Sequence, residues 1–412
     1  MTGTAPAGPA GRAPVVTGIG VTAPTGIGVE AHWAATLAGE SGIGPIERFD
    51  ASGYPVRHAG QVPGFHAPDV VPSRLISQTD HWTHLALHAG ELALRDADVD
   101  PAGLPEYEMA VVTSSSSGGT EFGQKEMTAL YQNDPSHVGA YQSIAWFYAA
   151  TTGQLSIRHK MRGPCGVLVC EQAGGLDAVG QARRLTRKGS RLVLTGGTDA
   201  SLCPYGLTAQ LSHGGLSTVD DSERAYLPFS AEASGHLPGE GGAILVLESA
   251  ESAEERGAGN YGRVLGYASG FDPAPDTGRP RALRRIAAQA VVDAGLTPAD
   301  IDVVFADASG QPADDRDEAE ALAALFGPRG VPVTAPKTMT GRLLGGGAPL
   351  DVATALLALR DGVVPPTIGV ETPVADYALD LVTAGPRELP LRHALVLARG
   401  VGGFTSALVL GR

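Results

Sequence analysis

The sequence predicts an α/β protein made of two successive sets of buried strands and helices. Three observations carry this. Short runs rich in Val, Ile and Leu recur between glycine-containing turns, as strands buried on both faces do. They alternate with helix-length stretches, the order expected of helices layered on mostly parallel sheets. The pattern then runs a second time after about residue 257.

Taken in order, 15–19 reads as a strand and 29–38 as a helix. Residues 110–113 and 166–169 are strand-like, and the second of these leads into a helix from 174 to about 185. Strands at 191–194 and 243–247 complete the first set. The second set has a helix at 283–294, a strand at 303–306, a helix at 318–325 and a strand at 331–334. A helix at 350–359 and a hairpin of 394–398 with 406–410 end it. The expected organisation is a flexible tail at 1–13, one half at 14–257 and a second at 258–412. No direct sequence repeat accompanies this duplication, which is topological.

With 412 residues, 43% of them hydrophobic, the chain can bury a large core. Only 18% are charged, below the usual quarter, which suggests surface covered by a partner. A net charge of −14 excludes a basic nucleic-acid footprint. Three cysteines, Cys165, Cys170 and Cys203, cannot all pair within the chain, and a reducing cytoplasm fits. No apolar run is long enough for a membrane span.

Three stretches could carry chemistry, and a fourth, a glycine-rich hairpin, carries none by itself. VLVCEQAGGLDAVGQARR (167–184) reads as strand, tight turn and helix, with Gln172 at the elbow. A helix N-terminus there favours an anion and would activate a thiolate, but an amide is no nucleophile. Cys170, upstream on the strand, reads as a core cysteine. VVFADASGQPADDRDEAEAL (303–322) places Asp307 at a strand end ahead of an acidic helix containing Glu318. APKTMTGRLLGGGAPLDVATALL (335–357) carries Lys337 and Arg342 before three glycines. ARGVGGFTSALVL (398–410) is a glycine-rich hairpin. Each alone also suits an ordinary turn or capped helix. His81, His84 and His88 share one helical face, but no carboxylate or cysteine pattern beside them argues for a metal. The stretch TEFGQKEMTALY (120–131) looks helical, with Thr120, Gly123 and Met127 on one face. Glycine inside a helix costs roughly 1 kcal/mol against alanine; close packing or empty space would explain it.

Together, and with the glycine-rich loop PFSAEASGHLPGEGGAILVLE (228–248) and the opening VVTGIGVTAPTGIG (15–28), these stretches resemble the β-ketoacyl synthase family of the thiolase-like fold. The phrases AYQSIAWFYA, GQLSIRHKMRGP, EQAGGLDA and APKTMTGRL resemble its chain length factors, the KSβ subunits of type II aromatic polyketide synthases. The resemblance implies duplicated halves in α-β-α-β-α layers. It implies that Gln172, Asp307 and Arg342 stand where active members hold a cysteine and two histidines, while Glu318 and Lys337 are retained. It implies no catalysis by this chain alone, a heterodimer with an active ketosynthase (KSα), and malonyl units carried by a phosphopantetheinyl acyl carrier protein. No bound cofactor or metal is expected. Asp307 and Arg342 are expected to pair in the converted site. Positions 120, 123 and 127 would line a tunnel at the subunit interface. Two of the three are small here, which points to a decaketide or longer chain. Two alternatives are a malonyl-decarboxylating subunit using Gln172 and a purely structural stabiliser of KSα.

Overall fold

The computed structural model describes residues 13–274 and 277–412. Of the expected tail, 1–12 lie outside these residues. Ala13 is buried against the second half of the chain.

The first half supplies β1 (Val15–Ala23), β2 (Met109–Ser114), β3 (Cys165–Leu168), β4 (Leu192–Ala200) and β5 (Glu240–Glu248). In space they run β1-β5-β4-β2-β3. The second half supplies β6 (Gly262–Phe271), β7 (Val303–Phe305), β8 (Pro332–Thr334), β9 (His393–Gly400) and β10 (Phe404–Gly411), in the order β6-β10-β9-β7-β8. The two orders are the same, shifted by one set. In each, the first two pairings are antiparallel and the last two parallel. The sheets are therefore mixed rather than mostly parallel, because the strand that closes each set folds back against its neighbour. Val15 and Val16 of β1 pair with Arg263 and Gly262 of β6, joining the halves into one ladder.

Helices complete the layers. α1 (His81–Asp96) covers β1, β5 and β4. α2 (Thr120–Gln132) follows β2, and α3 (Glu171–Arg187) follows β3. In the second half α4 (Leu283–Asp293) covers β6 and β10, α5 (Pro312–Phe326) follows β7, and α6 (Gly347–Asp361) follows β8. α3 and α6 pack on each other, each against strands of the sheet. α6 is buried from Gly347 through Leu359, as an apolar-all-round helix must be. The core around these two helices draws Val16, Val179 and Leu245 from one half and Phe305, Leu356 and Leu408 from the other.

β6 has no clear strand signal, because glycines interrupt GRVLGYASGF. The fold explains them. A Cβ on Gly266 would lie 2.2 Å from the Ala290 carbonyl of α4. Gly20 of β1 stands in the same relation to α1, where a Cβ would lie 1.9 Å from the Ala89 carbonyl. Both halves use a glycine on the first strand to bring the outer helix into backbone contact.

Candidate functional site

The βα turn after β3 is the tightest local feature. Glu171, the first residue of α3, has φ of 52°, a left-handed conformation costly for any residue with a Cβ. This rotates successive side chains to opposite sides. Glu171 lines a cavity of about 1030 Å³. Gln172 turns inward and has no exposed surface. Its Oε1 rests on Gly347 at the start of α6, where a Cβ would lie 1.9 Å away, and neither amide atom has a hydrogen-bond partner among the described residues. The side chain presented at the elbow is therefore Glu171, not Gln172. Cys170 lies beyond the end of β3 and is only half-buried, so it is not a core strand residue. Burial and then Asp177 push its thiol up to about 11, which leaves it protonated and unreactive.

Across the cavity, Asp307 follows β7 with no exposed surface. Its Oδ1 lies 3.2 Å from an Arg342 guanidinium nitrogen and accepts the Arg399 backbone N–H at 2.8 Å. Its Oδ2 accepts Arg399 Nε at 3.2 Å. The expected Asp307–Arg342 pair is present, but a second arginine completes it. Burial pushes the Asp307 carboxyl up; Arg342, Arg399 and Lys337 outweigh that and hold it well below the usual carboxylate range. Arg342 also donates to the Asp307 and Arg399 carbonyls, each at 3.0 Å. Glu318, on α5, accepts the backbone N–H groups of Asp307 at 2.8 Å and Ala308 at 2.9 Å, and Arg399 at 3.2 Å. Lys337 donates to the Ala306 carbonyl and pairs with Asp351 of α6 at 2.9 Å. Three buried cations thus meet three buried carboxylates, the balance such groups need.

Two further groups complete the surroundings. Glu171 lies 4.0 Å from Arg342, yet burial dominates and raises its carboxyl to about 6. His236 lines the cavity and points Nδ1 at the Ser309 carbonyl, 3.2 Å away. Burial, then Arg342, push its imidazole down to about 3, so the ring is neutral.

Thr120, Trp146, Tyr148 and Tyr205 line another part of the cavity. Gly123 lies under the Trp146 ring rather than beside open space, and Met127 is 37% exposed on the same helix. His81, His84 and His88 lie on α1. His81 Nε2 is 3.0 Å from Arg48 and 3.3 Å from Glu240, and His84 is buried. Among the described residues, no three His, Cys, Asp or Glu side chains converge as metal ligands would. No helix there is long and apolar enough to cross a membrane.

Sequence reasoning missed Arg399, Asp351, Glu171, His236 and Trp146. Asp351 had a signal, an acid inside an otherwise apolar helix. Arg399 had a weaker one, a cation entering a buried glycine hairpin.

A β-ketoacyl synthase N-terminal domain model matches residues 13–253, and the corresponding C-terminal domain model matches 261–371. The tetracenomycin polyketide synthase ketoacyl synthase beta subunit of Streptomyces glaucescens is 58% identical over 400 residues, covering 97% of this chain and 98% of that protein. The solved ishigamide ketosynthase/chain length factor superposes with a TM-score of 0.88 at 29% identity, over 97% of this chain and 99% of that one. A type II polyketide synthase acyl-carrier protein in complex with its ketosynthase bound to the hexaketide provides a chain with a TM-score of 0.87 at 26% identity, over the same shares.

Removing the shared carboxylate tests the ion network. Asp307→Ala removes the carboxylate nearest buried Arg342 and leaves Arg399 to Glu318, and its unfolding midpoint in denaturant is expected to fall by the equivalent of about 3–5 kcal/mol; an unchanged midpoint contradicts the network. Glu171 gives a pH signature. Below its unfolded value Glu171 is protonated in both states and contributes nothing. Between the unfolded value and about 6 only the folded state keeps the proton, and above about 6 the fold bears the buried charge. Glu171→Gln is thus expected to match the parent at pH 4 and to exceed it by up to about 2 kcal/mol at pH 7.5. A constant difference across that range would rule this out.

Proposed function

The chain belongs to the β-ketoacyl synthase family, and we propose that within it this chain is the non-catalytic, length-determining subunit of a type II polyketide synthase. It pairs with an active ketosynthase, KSα, and bounds the poly-β-ketone that grows from malonyl units on acyl carrier protein. The observation that carries this reading is the closed network of Asp307, Arg342, Arg399 and Glu318. Claisen condensation needs a thiolate to hold the acyl chain and neutral donors to stabilise an enolate. At this site Asp307 is an anion, Arg342 is committed to protein acceptors, and Gln172 faces away from the cavity. The chain needs no cofactor of its own, because the carrier protein brings the substrate.

A decarboxylating role for Gln172 loses support for the same reason. An amide buried against Gly347 is not placed to hold a malonyl thioester oxygen, and Arg342 already gives three of its five donors to Asp307 and Arg399.

A partner is supported by the surface. β3 is the outer strand of its block, with Val111 to Ser114 of β2 on one side only. Val169, just past its end, is 41% exposed, and Ile157, on the helix packed beside it, is 70% exposed; Ile144 at 44% and Phe147 at 58% are further exposed apolar side chains of this half. An unpaired edge and exposed apolar side chains of this kind call for a cover.

Thr120 sits in the cavity wall and is small, which favours a long product, of decaketide size or beyond. In a synthase reconstituted with its KSα and carrier protein, Thr120→Phe is expected to shorten the main product by one or more acetate units, read by mass. An unchanged product would leave the chain a structural stabiliser of its partner.

A further inference from the structure

We propose that the indole of Trp146, seated on Gly123, is the wall that limits how far the cavity reaches along α2. This rests on the length-determining reading above and changes which residue does the limiting. A glycine at 123 would suggest empty space. The structure fills that space: a Cβ on Gly123 would lie 2.3 Å from Trp146 Cε3 and 2.4 Å from Cζ3. Ring and glycine fit as knob and hole.

Two more glycines hold the ring there. The Gly119 backbone N–H donates to the Trp146 carbonyl at 3.2 Å. A Cβ on Gly119 would strike the Ala145 carbonyl at 2.2 Å, and one on Gly118 would come within 2.7 Å of the Trp146 carbonyl. The segment carrying Trp146 can lie on the first turn of α2 only because all three positions lack side chains. On its other side the indole meets Tyr205, with ring centroids 6.1 Å apart and planes at 32°. The Tyr205 backbone N–H in turn donates to Gln124 Oε1 of α2 at 2.7 Å. Trp146 and Tyr205 both face the cavity beside Thr120. They make a flat, neutral, aromatic wall, a surface that suits a neutral ketone-rich acyl chain better than a charged head group.

The geometry predicts opposite effects for the two partners. Trp146→Ala removes the wall, and Gly123→Ala drives the ring off its seat, with the cavity as the open direction. Both variants, the double variant and Thr120→Phe are compared in the reconstituted synthase, with co-elution of the KSα complex on size exclusion as the check of assembly. Trp146→Ala is expected to lengthen the product by at least one acetate unit and Gly123→Ala to shorten it. The double variant is expected to match Trp146→Ala, because the added methyl then meets nothing. If Trp146→Ala fails to assemble, Trp146→Phe replaces it, with the same direction expected. The proposal is overturned if Thr120→Phe shortens the product while Trp146 variants leave it unchanged, or if Gly123→Ala shortens it equally with and without the indole. If Thr120→Phe also changes nothing, the length-determining reading falls, and this proposal with it.

Discussion

Asp307 keeps its charge with no exposed surface, and much of the second half of the chain is arranged around that fact. A lone carboxylate in so dry a place would take up a proton. Arg342 and Arg399 prevent this, but each brings a positive charge that needs its own partners. Glu318 answers Arg399 and also ties down the backbone after β7. Lys337 is answered by Asp351. The result pins the end of β7, the helix α5, the turn after β8, the helix α6 and the strand β9 to one another. Removing any one member strands another, so the group behaves as a unit.

The same arithmetic decides the chemistry. Donors engaged by protein acceptors are poor partners for a developing enolate, and a fixed anion beside them opposes one. The elbow adds to this. In an ordinary nucleophile elbow the strained residue aims a reactive atom at the substrate; here the left-handed residue is Glu171, and it aims a carboxyl that burial raises to about 6. Gln172 spends its amide against Gly347, where it fills volume between the two central helices. The site reads as rebuilt for packing, with its acid and bases paired to each other.

Much of this was legible in the sequence. Apolar strand runs and the terminal hairpin located the sheets, because burial on both faces leaves a continuous apolar signal. β6 was not legible, since the glycines that admit α4 erase the pattern. The Asp307–Arg342 pair was legible from two motifs that converge in the family resembled. Arg399 was not, because its role depends on a hairpin returning beside β7, a contact about 90 residues away in sequence. Gly123 shows the limit most clearly. Composition marks a missing side chain and leaves open whether a neighbour or a void fills the gap, and here a tryptophan over twenty residues later fills it.

The central claim is that this chain shapes a reaction performed by its partner without holding the acyl chain covalently. Intact-protein mass spectrometry of the assembled synthase, quenched during turnover of malonyl carrier protein, tests it most directly. The account predicts acyl mass on the KSα cysteine and on the carrier, and none on this chain. An acyl adduct on this chain, at Cys170, Glu171 or Lys337, would contradict it.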